Sequence, residues 1–122
     1  MILREATTYS EGSQTGKYGL PGGRIEANES FFDALAREVK EETGLTIKSL
    51  RPLHIGEWWP VISRTKNHIV AMFVLCASKT NKVVLSEEHD EYQWVDKDTY
   101  QKFNIVQPDV VAVKLAIDSL TK

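Results

Sequence analysis

A single domain of the α/β or α+β class is the fold this sequence predicts. Three observations carry that expectation. An amphipathic helix reads over residues 30–43, a long apolar strand over 68–78, and a second helix behind a proline at 108. The 122 residues fit one domain spanning 1–122 and are enough to bury one core.

The elements follow in chain order. MILR, residues 1–4, reads as the tail of a strand, and the polar, turn-rich residues 5–20 read as a loop. LPGGRIEANE, residues 20–29, is a Pro-Gly-Gly turn followed by a short extended piece. In SFFDALAREVKEET, Phe32, Leu35, Ala36 and Val39 recur at i, i+3, i+4 and i+7, the apolar stripe of a helix. Asn28 or Ser30 can cap its start, and Gly44 suits the position past its end. Residues 45–57 read as a strand and turn, and 58–68 as a loop between strands or a hairpin. HIVAMFVLCAS, residues 68–78, has the length and branched residues of a buried strand. KVVLS (82–86) and EYQWV (91–95) suggest two shorter strands, and DKDTYQKF (96–103) a helical turn. Pro108 opens a last helix to about Leu120, with Val110, Val113, Ile117 and Leu120 on one face.

The composition, 42% hydrophobic and 26% charged, is that of an ordinary soluble globular protein. A net charge of −2 supplies no general attraction for a nucleic-acid polymer or a membrane surface. A polyanionic substrate must therefore be handled by a local site or by metal ions. No apolar run approaches membrane-spanning length, and MILREATTYS carries no signal-peptide apolar region. The lone Cys76 allows no intrachain disulfide and reads as a core thiol. A cytoplasmic location is expected.

REVKEETGL, residues 37–45, is electrostatically awkward. Glu38, Glu41 and Glu42 share one helical face, where like charges repel. They also sit at the negative pole of the helix dipole, where anions are least favoured. Hard divalent cations take oxygen ligands, and a few carboxylates plus substrate phosphates are the usual setting for Mg²⁺. Such a helix end is a metal platform, and phosphate chemistry uses one to neutralise charge and orient water.

Read back from Leu45, the sequence runs Gly23, five residues, Glu29, seven residues, Arg37-Glu38-Val39, one residue, Glu41-Glu42, one residue, Gly44-Leu45. This resembles the Nudix box, G-x5-E-x7-R-E-U-x-E-E-x-G-U with U a bulky aliphatic, at every specified position. Leu20-Pro21-Gly22-Gly23 also resembles the family's lead-in. The resemblance implies a Nudix fold, an α/β/α sandwich with a mixed β-sheet between the box helix and the C-terminal helix. Against that pattern the first strand reads as shortened.

The resemblance also implies roles. Glu41 and Glu42 are the main metal ligands, and Glu38 is a further ligand or the general base. Arg37 orients a glutamate, Glu29 or Glu38, by a bidentate contact, with Glu29 in support. The Gly22 carbonyl corresponds to a backbone metal ligand, and Gly23 provides the turn that brings that backbone close. A later acid often completes such sites, and in SEEHDEYQWV, residues 86–95, Glu88 and Glu91 are the best candidates, then Glu87. His89 is weighed as a base or phosphate contact, and an ordinary surface role is expected. On the substrate side stand Arg4, Lys17 and Tyr18, with Tyr9 in the same loop, and Trp58 or Trp59, of which at most one faces the pocket. Arg64, Lys66 and His68 are candidates for the pocket mouth.

The implied activity is metal-dependent (Mg²⁺ or Mn²⁺) hydrolysis of a nucleoside diphosphate linked to another group. A nucleoside triphosphate, oxidised ones included, is favoured by the small size. The alternatives are ADP-ribose, nucleotide sugars and diadenosine polyphosphates, or a catalytically silent nucleotide-sensing module, or an isomerase on the same fold. A homodimer is the expected assembly, with a small-molecule nucleotide as partner.

Overall fold

The computed structural model describes residues 1–7 and 15–120, so Tyr9 lies outside the described residues. The first helix, α1 (Phe31–Thr43), starts at Ser30, whose hydroxyl accepts from the Asp33 N–H at 3.2 Å. Of the two candidate caps, Ser30 is the one used. Asn28 instead takes a positive φ of 63° in the preceding turn. The helix ends at Gly44, whose φ of 74° is left-handed and whose N–H bonds the Lys40 carbonyl at 2.9 Å. A left-handed residue after the last turn is where glycine is strongly preferred, because it has no Cβ to clash.

The buried face of α1 differs from the expected stripe. Ala34, Val39, Glu42 and Thr43 are buried, whereas Phe32 and Ala36 are exposed. Phe32 packs edge-on against Phe31 rather than into the core. Apolar spacing alone put the stripe one position off, because the site takes Glu42 into the interior along with Val39.

Three strands form one sheet in the order β2 (Tyr18–Gly19), β1 (Ile2–Glu5), β7 (His89–Gln93), all antiparallel. The residues 5–20 expected as a loop thus contribute one short strand. β7 starts two residues earlier than EYQWV suggested. Its register with β1 shifts between Arg4 and Glu5, so that Arg4 faces Glu91 and Glu5 faces His89. β3 (Ile47–Trp58) and β6 (Ile69–Ser78) form a long antiparallel ribbon. β4 (Val61–Ile62) and β5 (Thr65–Lys66) form a hairpin. Its turn residues, Ser63 and Arg64, both have positive φ, 50° and 66°, as tight two-residue hairpin turns require. Among the described residues, the parallel component is a single bridge from Tyr18 to Ile105.

β3 touches both α1 and α2 (Asp109–Leu120), as a sheet layered between helices requires. Buried Gly56 makes the second contact possible, since a Cβ there would press on Pro108 and the Phe73 ring at 3.1–3.2 Å. The core gathers Ile2, Tyr18, Ile105 and Val113, with Phe103, Val110 and Ile117 packed on it. Leu120, expected on that face, is 70% exposed, because it ends the helix beyond the core. β6 is half-buried rather than buried: its only partner among the described residues is β3, and Val70 and Met72 face outward. Residues 82–86 form no strand. Their N–H groups are used elsewhere, Val84 donating to the Thr43 carbonyl at 2.9 Å and Ser86 to the Glu42 carbonyl at 3.2 Å. These carbonyls belong to the last turn of α1, which has no partners for them within the helix.

Gly44→Ala is expected to destabilise the protein by about 1–2 kcal/mol, the cost of a Cβ in the left-handed region. Gly44→Asn should cost less. Urea unfolding checks this, and an unchanged midpoint for Gly44→Ala would contradict the assigned cap.

Candidate active site

The site is assembled at the end of α1. Arg37 sits one face away from the buried stripe and gathers the carboxylates nearest to it. Its Nε and Nη2 hold both oxygens of Glu29, at 2.7 and 3.0 Å, so the expected bidentate contact falls on Glu29. Nη1 reaches Glu38 at 3.1 Å and Glu41 at 3.2 Å, and Nη2 also donates to the Arg24 carbonyl at 3.2 Å. These bonds keep the guanidinium charged and hold the Glu29 carboxyl below its usual range, with a further bond from the Glu26 N–H. Three of the box acids are thereby compensated within the chain.

Glu42 is not. It is 4% exposed, and its side chain accepts one hydrogen bond, from the Gly22 N–H at 3.3 Å. Burial pushes its carboxyl up to about 8, opposed by the Gly22 bond and reinforced by the charges of Glu88, Glu38 and Glu41. The Gly22 backbone is brought there by its φ of 153°, a conformation that side chains other than glycine's rarely allow. Here the structure differs from expectation: Gly22, not Gly23, makes the turn. At Gly23 a Cβ would meet the Glu38 carboxylate, which would have to shift from its place.

The segment that closes α1 brings two more groups able to hold a metal ion, Glu88 and His89, beside Glu42. Past Ser86, the chain turns so that the Glu88 carbonyl accepts from Ala6 at 2.9 Å and β7 begins at His89. One atom each from Glu42, Glu88 and His89 then lie within 4.8 Å of one another. His89 Nδ1 is 3.9 Å from Glu42 Oε2, is buried, and has no hydrogen-bond partner among the described residues. Desolvation pushes the imidazole pKa down, against the pull of Glu5 and Asp90, so the ring is neutral near pH 7. The expected surface role of His89 is not what the fold gives it. Its sequence neighbours are acidic, but the register shift opposite Glu5 marks an irregular pairing at this end of β7.

Glu91 lies outside this group. It accepts from the Tyr18 hydroxyl and pairs with Arg4 at 3.4 Å, while Arg4 Nε bonds Asp90 at 2.7 Å. Tyr18 is a core residue, edge-on to Phe103. Lys17 is exposed. Trp58 closes β3 opposite Ile69, and Trp59 stacks on His68 at 4.9 Å beside the hairpin that carries Arg64 and Lys66. His68 in turn bonds Glu57 at 2.8 Å. Asp109, overlooked in the sequence, ties the site loop to α2: its half-buried carboxylate accepts from the Leu20 N–H at 2.9 Å. Its place at the first helical position behind Pro108 was the available signal.

An orphaned imidazole nitrogen beside two carboxylates, one buried and raised in pKa, fits a divalent cation. Unpaired buried carboxylates are costly, and oxygen and imidazole donors together suit such an ion.

A family model described as NUDIX domain matches residues 2–114. The nucleoside triphosphatase NudI of Klebsiella pneumoniae (strain 342) is 27% identical over 100 residues, covering 74% of this chain and 69% of that protein. A crystal structure of a MutT protein from Methanosarcina mazei Go1 superposes with a TM-score of 0.73 at 27% identity, covering 99% of this chain and 83% of the other. A MutT NUDIX hydrolase from Burkholderia pseudomallei shares the fold at a TM-score of 0.71 and 18% identity, over 93% of this chain and 84% of that one.

The Glu42 shift sets a pH dependence for the metal-free protein. The folded carboxyl titrates above the unfolded one, so its contribution to stability is full below about pH 4.5 and is lost as pH rises towards 8. Glu42→Gln, which stays neutral, is expected to be more stable than the parent at pH 8.5 by more than about 1 kcal/mol, with the gap closing near pH 5. Parallel stability curves in denaturant titrations at the two pH values would contradict this.

Proposed function

Because the chain belongs to the NUDIX domain family and is a Nudix hydrolase, we propose that it hydrolyses a nucleoside triphosphate to a nucleoside monophosphate and pyrophosphate. The observation that carries this reading is Glu42, a buried carboxylate left uncompensated beside Glu88 while its neighbours are held by Arg37. The choice of a triphosphate is supported by similarity to a protein named a nucleoside triphosphatase.

In this reading Glu42 and Glu88 hold the divalent ion, Mg²⁺ or Mn²⁺, with Glu41, Glu38 and the Gly22 carbonyl as further donors. When bound, such an ion neutralises phosphate oxygens and lowers the pKa of water. The chain's own residues do the rest. Arg37 fixes the rotamers of Glu29, Glu38 and Glu41, so that the carboxylates are in place before substrate arrives. Glu38 lies against the Gly23 backbone and is the proposed base. It takes a proton from the attacking water as the new P–O bond forms, and the bond to the leaving phosphate oxygen breaks. Arg4, charged and on the central strand β1 opposite Glu91, faces the phosphates; Lys17 and one of Trp58 and Trp59 contact the remainder of the nucleotide. Tyr18 acts through Glu91 by holding that carboxylate in place. A nucleotide substrate and a lone, partly buried thiol suit the cytosol, and one domain over residues 1–122 carries the activity.

A phosphate-release screen with Mg²⁺ and then Mn²⁺ tests the proposal across common and oxidised nucleoside triphosphates, ADP-ribose, nucleotide sugars and diadenosine polyphosphates. The expected result is metal-dependent release of pyrophosphate from a triphosphate, reduced at least about 10²-fold in kcat by Glu42→Gln. Turnover of one of the other classes alone would replace the substrate. Nucleotide binding without turnover anywhere in the panel would make the protein a sensor.

A further inference from the structure

We propose that His89 Nδ1 is itself a ligand to the divalent ion, completing with Glu42 and Glu88 a mixed nitrogen–oxygen site that selects first-row transition ions over Mg²⁺. The inference rests on the reading of Glu42 as a metal ligand and adds the nitrogen donor and the metal preference.

The geometry carries it. His89 Nδ1 is 3.9 Å from Glu42 Oε2, too long for a hydrogen bond. Two ligands on one ion with bonds of about 2.1 Å lie between roughly 3.0 and 4.2 Å apart, depending on whether they are adjacent or opposite. The observed separation falls in that window. The nitrogen is buried and, among the described residues, without a hydrogen-bond partner, an arrangement that costs free energy unless a further partner is bound. A Glu88 carboxylate oxygen lies within 4.8 Å of both residues' donor atoms. The backbone makes the placement rigid: the Ser86 N–H is bonded to the Glu42 carbonyl, the Glu88 carbonyl to Ala6, and His89 opens β7 opposite Glu5. A surface histidine would need none of this.

The chemistry sets the preference. Carboxylates alone suit Mg²⁺ and Mn²⁺, whereas one imidazole raises affinity for ions later in the first transition row far more than for Mg²⁺. Loss of the imidazole should therefore act selectively. A residue that merely steadied Glu42 would affect every ion alike.

The test uses the metal-free full chain, titrated calorimetrically with Co²⁺ and with Mg²⁺, and Mn²⁺ electron spin echo spectroscopy to detect nitrogen bound to the ion. The expected result is a ¹⁴N coupling in the parent that is absent in His89→Ala, with Co²⁺ affinity falling at least about tenfold and Mg²⁺ affinity changing by less than about threefold. His89→Gln, which offers an amide oxygen and guards against a packing defect in the alanine variant, should keep Mg²⁺ binding and lose the Co²⁺ preference. Absence of the ¹⁴N coupling in the parent, or an equal loss for both ions in both variants, overturns the inference while leaving the metal site intact. Unaltered binding of both ions in Glu42→Gln would instead overturn the metal-site reading beneath it.

Discussion

The N–H groups of Val84 and Ser86 bond the Thr43 and Glu42 carbonyls, and the placement of the acids follows from this closure of α1. A helix ends with carbonyls that have no partner inside it, and these must be satisfied when the end is covered. Gly44 turns the chain away in a left-handed conformation, and the backbone of residues 84–86 then fills the gap. Two consequences follow together. The inner face of the last turn of α1, Glu42 and Thr43, is buried, so Glu42 loses solvent. The segment that buries it runs directly into Glu88 and His89. The same backbone contact that completes the helix thus builds half of the site.

The charges divide accordingly. Arg37 lies on the solvent side of the box and compensates Glu29, Glu38 and Glu41 in one web. On the inner side, among the described residues, no Lys or Arg pairs with Glu42; its polar contacts are the Gly22 N–H and a neutral imidazole 3.9 Å away. An anionic web with an internal cation and a buried acidic pocket without one have different uses. The first fixes side-chain geometry, and the second is shaped for a charge that arrives from outside. Arg4 and Tyr18 hold Glu91 in a third set of contacts, on the neighbouring strand.

Much of this was legible in the sequence because local rules fixed it. The cap at Ser30, the stop at Gly44 and the spacing of Glu38, Glu41 and Glu42 each depend on neighbours within one or two helical turns. The box pattern narrowed the bidentate partner of Arg37 to Glu29 or Glu38, and the fold puts it on Glu29, eight residues away. What could not be read was decided by distant partners. KVVLS has strand composition, yet its N–H groups bond the helix end instead of another strand. Phe32 lost its place in the buried stripe to a carboxylate, which no hydropathy pattern would put inside. His89 sits in an acidic, polar stretch and looked like surface; the shifted pairing with Glu5 and the approach of Glu42 exist only in the fold. Asp109 reads as an ordinary first-turn acid until the Leu20 N–H arrives from residues far away in the chain.

The most direct test of the account is proton release on metal binding. If Glu42 is a buried, protonated carboxyl that gives up its proton to an incoming cation, titrating the metal-free protein with Mg²⁺ at pH 7 must release about one proton per ion bound. Calorimetry in buffers of different ionisation enthalpy measures that number. The account predicts a release near one for the parent protein and near zero for Glu42→Gln. Tight Mg²⁺ binding with no proton released, or the same release in Glu42→Gln, would contradict it.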